Sequence, residues 1–243
     1  MEKSAARWAG LMALSLLLAG TARAQKLPWH PKEAEALAGA SRVLLAPPTV
    51  HVEKWTATMG REAEGTADYV RRTICGTLDQ ILEQRQFVVD DYLLCLGESE
   101  SSTEKQNAVN ATALHFRQLA NEWVTSRHGE EKLEAFHLGD ELAAVKKLDV
   151  DALILVSANG ILTSKGERAM SHAGVITGGG GPGQSLVLHI GVIRPQTGEL
   201  VFFTENTAGG DFLKHPERLE SAVEKAMAEV FGRAGSSQKD SRQ

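Results

Sequence analysis

The residues with which this chain could do chemistry are eight histidines, two cysteines, a run of glycines and a few adjacent carboxylates. The histidines are His30, His51, His115, His128, His137, His172, His189 and His215. None stands in a His-Glu-x-x-His or His-x-His arrangement, so the spacing that holds zinc or copper is missing. They read as surface or core fillers, with His115 on a helix face near Phe116 and His189 on the exposed face of a strand. Ser157 follows an apolar run but is trailed by Ala-Asn-Gly, not by the tight strand-to-helix elbow of a Gly-x-Ser-x-Gly nucleophile. Cys75 falls in mid-helix on a packing face, a poor place for a reactive thiolate. The pairs Asp90-Asp91 and Glu130-Glu131 read as solvated or turn charges. Gly97–Lys105, rich in Ser and Glu, reads as a solvated loop without the acidic alternation and central Gly of a calcium loop. Asn110-Ala-Thr112 matches a glycosylation sequon on a helix and reads as chance. No catalytic residue, metal or cofactor is expected.

The glycine run Gly178, Gly179, Gly180, Gly181, Pro182, Gly183 is the most conspicuous stretch. A phosphate loop needs Gly-Lys-Ser/Thr and a following helix. Here Gln-Ser and a strand follow instead. Two readings remain: a flexible connection, since glycine carries the largest chain entropy, and a recognition loop that orders on a partner.

Residues 1–24 read as an address. Lys3 and Arg7 precede an apolar run over 10–20, and Ala22-Arg23-Ala24 supplies a small-residue cleavage site, the three parts of a secretory signal peptide cut after Ala24. The run is shorter than the ~20 residues a membrane span requires. Leu18-Ala19-Gly20 begins a lipoprotein cleavage box, but Thr21 stands where the lipid-bearing Cys must be. The expected product is an exported, periplasmic, unlipidated chain beginning at Gln25, with no transmembrane segment. Export places Cys75 and Cys95 in an oxidising compartment. There they can pair across a loop of about 20 residues, worth about 3 kcal/mol in chain entropy. Two separate buried thiols are the alternative.

The whole chain has 243 residues, 42% hydrophobic and 23% charged, with a formal net charge of −5. Cleavage removes Glu2, Lys3, Arg7 and Arg23, leaving a net charge of about −7. That acidity opposes nucleic acid and anionic lipid as partners.

The elements that must position these residues follow from periodicity. After a lead-in over 25–40, Arg42–Pro48 is a short strand stopped by two prolines, and 49–65 is loop or partial strand. Thr66–Arg85 is helical, Phe87–Val89 extended, and Val109–Val124 helical with Trp123 as a core anchor. Arg127–Glu134 is charged and exposed. Asp140 caps a short helix over Glu141–Leu148. Ala152–Ser157 is the central strand, followed by irregular chain over 162–184. Leu186–Ile193 and Leu200–Thr204 form a hairpin around Pro195-Gln-Thr-Gly198, and Pro216–Phe231 is a closing helix with one apolar stripe. The order β-α-β-α-α-β-β-β-α predicts one α/β (α+β) domain over 41–232, of two or three layers, with a mixed sheet, a C-terminal hairpin and a closing C-terminal helix. A disordered tail over 233–243 follows.

Three stretches carry a resemblance. They are Val43-Leu-Leu-Ala-Pro-Pro48, the helix leading into Leu148-Asp-Val-Asp-Ala-Leu-Ile-Leu-Val-Ser157, and Leu186–Phe203 with its Thr197-Gly198-Glu199 turn. Over about residues 41–231 the chain resembles the α/β domain of bacterial envelope proteins related to the amino-terminal domain of the Tol translocation protein, including curli-secretion lipoproteins and outer-membrane activators of penicillin-binding proteins. The resemblance implies an accessory envelope role without chemistry. Thr21 departs from the lipidated members, and Lys165–Gln184 lacks the alternation of a membrane hairpin. The expectation is a non-enzymatic exported protein that binds another periplasmic or outer-membrane protein. An exported hydrolase or a binder of a small ligand or cell-wall fragment are the alternatives.

Overall fold

A computed structural model describes residues 37, 39–56, 59–62, 65–125, 129–139, 141–163 and 185–232. The export signal, His30, His128, His172, the glycine run Gly178–Gly183 and the C-terminal tail lie outside the described residues.

The chain is an α/β domain built on one seven-stranded mixed sheet. Its centre is β5, Ala152–Thr163. Along one side of β5 lie β1 (Arg42–Leu45) and then β2 (Thr49–Thr56), both parallel to it. Pro47 and Pro48 interrupt this side without ending it, because Ala46 N still donates to Ile154 O at 3.0 Å. The other side of β5 carries the antiparallel hairpin β6 (Ser185–Ile193) and β7 (Leu200–Gly209). Outermost, β4 (Val88–Asp90) pairs parallel with β1, and β3 (Met59–Glu62) antiparallel with β2.

The structure departs from the sequence reading in several elements. The segment 49–65, read as loop or partial strand, holds two strands; Thr49-Val-His-Val-Glu53 alternates, and Val52 is buried. The central strand runs six residues past Ser157, so Ser157 is interior to it and the irregular stretch cannot begin at Leu162. β7 likewise continues five residues past Thr204.

Helix α1 is Thr66–Gln84, one residue shorter than expected. A five-residue helix α2, Tyr92–Leu96, carries Cys95 in a stretch to which periodicity assigned no element. Helix α3, Thr103–Thr125, starts six residues before Val109. Ser102 explains the early start: its Oγ accepts from Lys105 N at 3.3 Å, and its carbonyl accepts from Gln106 N at 3.1 Å. A polar first turn over a capping serine carries no apolar signal, which is why periodicity missed it. Helix α4, Gly129–Glu134, occupies the stretch read as merely exposed, and its Leu133 is buried. Helix α5 is only Leu142–Val145, continuing as turns that bury Leu148; its expected cap, Asp140, lies outside the described residues. Helix α6, Pro216–Gly232, closes the chain as predicted.

The layers number three. Alternation along β5 sends Ala152, Ile154, Val156 and Ala158 to one core and Leu153 and Leu155 to the other. The first core is closed by α1 and α6 through Val70, Ile74, Leu78, Leu219, Val223 and Met227. The second is closed by α3 through Val109, Phe116 and Trp123, with α4 and α5 beside it. Gly191 of β6 is required here: a Cβ would lie 2.4 Å from the Phe116 ring.

Cys75 of α1 and Cys95 of α2 form a disulfide with their Cα atoms 6.0 Å apart. The pairing reading holds and the two-thiol alternative falls. Both cysteines are buried, as the packing-face reading of Cys75 requires.

Candidate functional site

The second face of the sheet changes character along its length. Successive rows across β5, β6 and β7 follow the ladder register. Leu155, Gly191 and Phe203 share a row, then Ser157, His189 and Glu205, then Asn159, Val187 and Thr207. β2 adds Thr49 beside Ser157, His51 beside Asn159 and Glu53 beside Ile161. Register neighbours point to the same side of a sheet. The apolar end of this face is therefore covered by α3, whereas its far end is a polar platform of Thr49, His51, Glu53, Asn159, Glu205 and Thr207.

Helix α3 ends at Thr125, over the edge of that platform. Its last turns meet the strands through Asn159 Nδ2, which donates to Asn121 Oδ1 at 3.4 Å, and through Trp123, whose ring lies 5.2 Å from that of Phe203. Beyond this, Asn159, Ile161, Val187 and Glu205 are half-buried and Thr207 is exposed. The same rows on the opposite face, with Val52, Ala158, Leu162, Leu186 and Ala208, are buried in the first core. One side of this end is packed and the other is open and polar.

Two histidine–glutamate pairs flank the platform. His51 Nε2 lies 3.1 Å from Glu53 Oε1. His189 Nε2 lies 3.3 Å from Glu205 Oε2. His189 was expected on an exposed face and is instead 1% exposed, with its ring 5.7 Å from that of Phe203. The correction has a simple cause: alternation assigns a face, and α3 with Phe203 covers that face as far as His189. Ser157 beside it is also fully buried. Among the described residues neither Ser157 Oγ nor His189 Nδ1 has a hydrogen-bond partner.

A second feature lies at the other end of α3. Arg42, Asp90, Ser102, Glu104, Lys105, Ala144, Lys147, Leu148 and Asp149 line a cleft of about 320 Å³. Asp90 and Asp91 are therefore not plain solvated charges. Arg42 donates to Asp149 and, at 3.1 Å, to Asp90 Oδ1, while Lys105 Nζ donates to Asp90 Oδ2 at 3.0 Å. Lys147 Nζ donates to Glu104 Oε1 at 2.7 Å. Asp91, in the left-handed region at φ 50°, accepts from the Ser99 and Ser101 hydroxyls. Burial alone would raise the Asp91 carboxyl, but those hydroxyls and Lys105 outweigh it and hold the group below the usual carboxylate range. Lys147 does the same for Glu104. These bonds, with Gln106 Nε2 donating to Ser99 O and Ser101 O, tie down the segment read as a solvated loop.

The remaining residues singled out in the sequence do not gather. His115 pairs with Glu141 at 2.8 Å, His215 with Glu217 at 3.0 Å, and His137 bridges to Glu199. Glu131 is exposed on α4. Thr112 of the sequon is buried and donates to Ala108 O. Among the described residues no group of three or more His, Cys, Asp or Glu can hold a metal ion, and no helix is long and apolar enough to cross a membrane.

No family model matches this sequence, and no curated protein matches it. Seven chains of solved structures match this one, among them these three. A hypothetical protein of Chlamydia trachomatis aligns at TM-score 0.40 and 8% identity, over 81% of this chain and 98% of its own. A lipoprotein of Neisseria meningitidis aligns at TM-score 0.32 and 10% identity, over 77% of this chain and 96% of its own. The C-terminal domain of LpoB from Salmonella enterica aligns at TM-score 0.28 and 11% identity, over 70% of this chain and 84% of its own.

Proposed function

We propose that this chain is an exported, non-enzymatic accessory protein of the bacterial envelope that binds another envelope protein through the polar platform at the far end of β2, β5, β6 and β7. The observation that carries this reading is the asymmetry of that end: the β5 face bearing Ala158 is buried, while the face bearing Asn159, His51, Glu205 and Thr207 is partly or fully open. A sheet face lined with polar side chains, and not covered by a helix among the described residues, suits a polar protein partner. Thr163 and Ser185, which flank the stretch holding Gly178–Gly183, lie at this end of β5 and β6, and this supports a recognition role for the glycine run. Export through the residue 1–24 signal, without lipidation at Thr21, supplies the periplasmic setting in which the Cys75–Cys95 disulfide persists.

The hydrolase alternative has one arrangement in its favour, the row Ser157, His189, Glu205 across three adjacent strands. Serine, histidine and acid in that order are the parts of an acyl-transfer triad. Here Ser157 Oγ and His189 Nδ1 make no hydrogen bond among the described residues, and both are closed to solvent, so neither activation of the hydroxyl nor substrate access follows.

In-cell cross-linking of the tagged chain, followed by mass spectrometry, tests the reading. A reproducible envelope protein captured through the platform residues supports it. Capture of nothing above background, with turnover of an ester or peptide substrate abolished by Ser157→Ala, replaces it with the hydrolase.

A further inference from the structure

The cleft at the start of α3 is separate from the platform, at the opposite end of the same helix. Its lining holds three cations, Arg42, Lys105 and Lys147, and three carboxylates, Asp90, Glu104 and Asp149. We propose that it is a binding site for a small zwitterion, an amino acid or dipeptide with a free amino group and a free carboxylate.

Charge balance selects the class. A lone anion entering the cleft meets three carboxylates, and a lone cation meets three cations. A ligand carrying both signs meets an opposite charge at each end. The volume, about 320 Å³, is at the small end of ligand sites and suits a molecule of this size. Ala144 and Leu148 give it an apolar wall.

The floor and the rim differ in the way such a site requires. Asp90 and Lys105 are largely buried and bonded to one another, so they hold the floor. At the rim the Lys147 and Glu104 side chains are 70% and 65% exposed. An ion pair that open is worth ~0–1 kcal/mol and exchanges readily. Each of these groups also has more than one bonding position. Lys147 has three donors and gives one to Glu104, at Oε1. Asp149 accepts from Arg42 at Oδ2, and the Arg42 guanidinium, with five N–H donors, gives to Asp149 and to Asp90. The ligand carboxylate would take N–H donors of Arg42 and Lys147, and its ammonium the carboxylate oxygens of Glu104 and Asp149. No covalent step is involved.

Isothermal titration calorimetry of the purified chain with alanyl-alanine tests this. Saturable one-to-one binding is expected at millimolar dipeptide. The N-acetylated and C-amidated forms, each missing one charge, should bind at least tenfold more weakly. Lys147→Ala and Asp149→Asn, both at exposed side chains, should each cost tenfold or more in affinity while leaving the melting temperature unchanged. Absence of saturable heat overturns the proposal, as does equal binding of the capped forms or unchanged affinity in both variants. None of these outcomes bears on the platform, whose partner is read by cross-linking.

Discussion

Ser157 of β5 and His189 of β6 stand opposite one another in the ladder, both buried, with Ser157 Oγ and His189 Nδ1 each lacking a hydrogen-bond partner among the described residues. A buried polar atom left without a bond costs about 1–3 kcal/mol. Ser157→Ala removes one such atom and almost no volume. It should leave stability unchanged or raise it by up to about 1 kcal/mol, read as a shift in urea midpoint at constant slope. A loss above about 1 kcal/mol would show that the hydroxyl is bonded.

Phe116 rests on the bare backbone of Gly191, and that contact is intolerant of a methyl group. Gly191→Ala should destabilise by about 1–3 kcal/mol through overpacking. Phe116→Leu in the same chain should recover part of that loss, giving a coupling energy in a double-mutant cycle. Additive losses would mean that the ring does not set the constraint.

The disulfide joins α1 to a five-residue helix too short to hold itself. Replacing both Cys75 and Cys95 by Ala should lower stability by about 3 kcal/mol, as loop-closure entropy returns to the unfolded chain. Hydrogen exchange should rise first over residues 86–102, while β5 and β6 stay protected. Uniform loss of protection would contradict the local role given to the bond.

Asp151 and Asp91 contribute to the acid limb of stability, beside Glu104 and Glu141, which are also held below the usual carboxylate range. Asp151 accepts from Arg42 N and Ser41 N, each at 2.8 Å, and these bonds hold its carboxyl below the usual range. Asp91 is lowered as well. A depressed folded-state value gives stability that is fully present above the unfolded value, about 3.9, and is lost as pH falls through the folded one. The melting temperature should therefore be flat through neutral and mildly acidic pH and drop below about pH 4. Asp91→Asn keeps the left-handed backbone and should make that drop shallower. An unchanged acid limb would remove Asp91 from the account.

Much of the scaffold was legible because single elements announce it. The apolar run Ala152–Val156 marks the central strand, the stripe Leu219–Phe231 marks the closing helix, and export made the cysteine pair possible. β2 was legible only as loop or partial strand because its polar residues hid the alternation of Val50 and Val52 behind two prolines. The platform was missed for a different reason. His51, Asn159, Val187 and Thr207 are far apart in sequence and become neighbours only through the register of four strands. Asp90 and Asp91 read as adjacent charges because their partners, Arg42, Lys105, Ser99 and Ser101, lie on other segments. Burial of His189 depends on Phe203 and on where α3 ends, and strand periodicity contains neither.

The central claim is that the open, polar end of the sheet binds an envelope protein. It is tested most directly by placing a photo-cross-linking residue at His51 or Thr207, and for comparison at Glu224 or Lys225 on the exposed side of α6. The account predicts that one envelope protein is captured in cells from the His51 and Thr207 positions and not from the α6 positions. Equal capture from both faces, or capture from α6 alone, would contradict it.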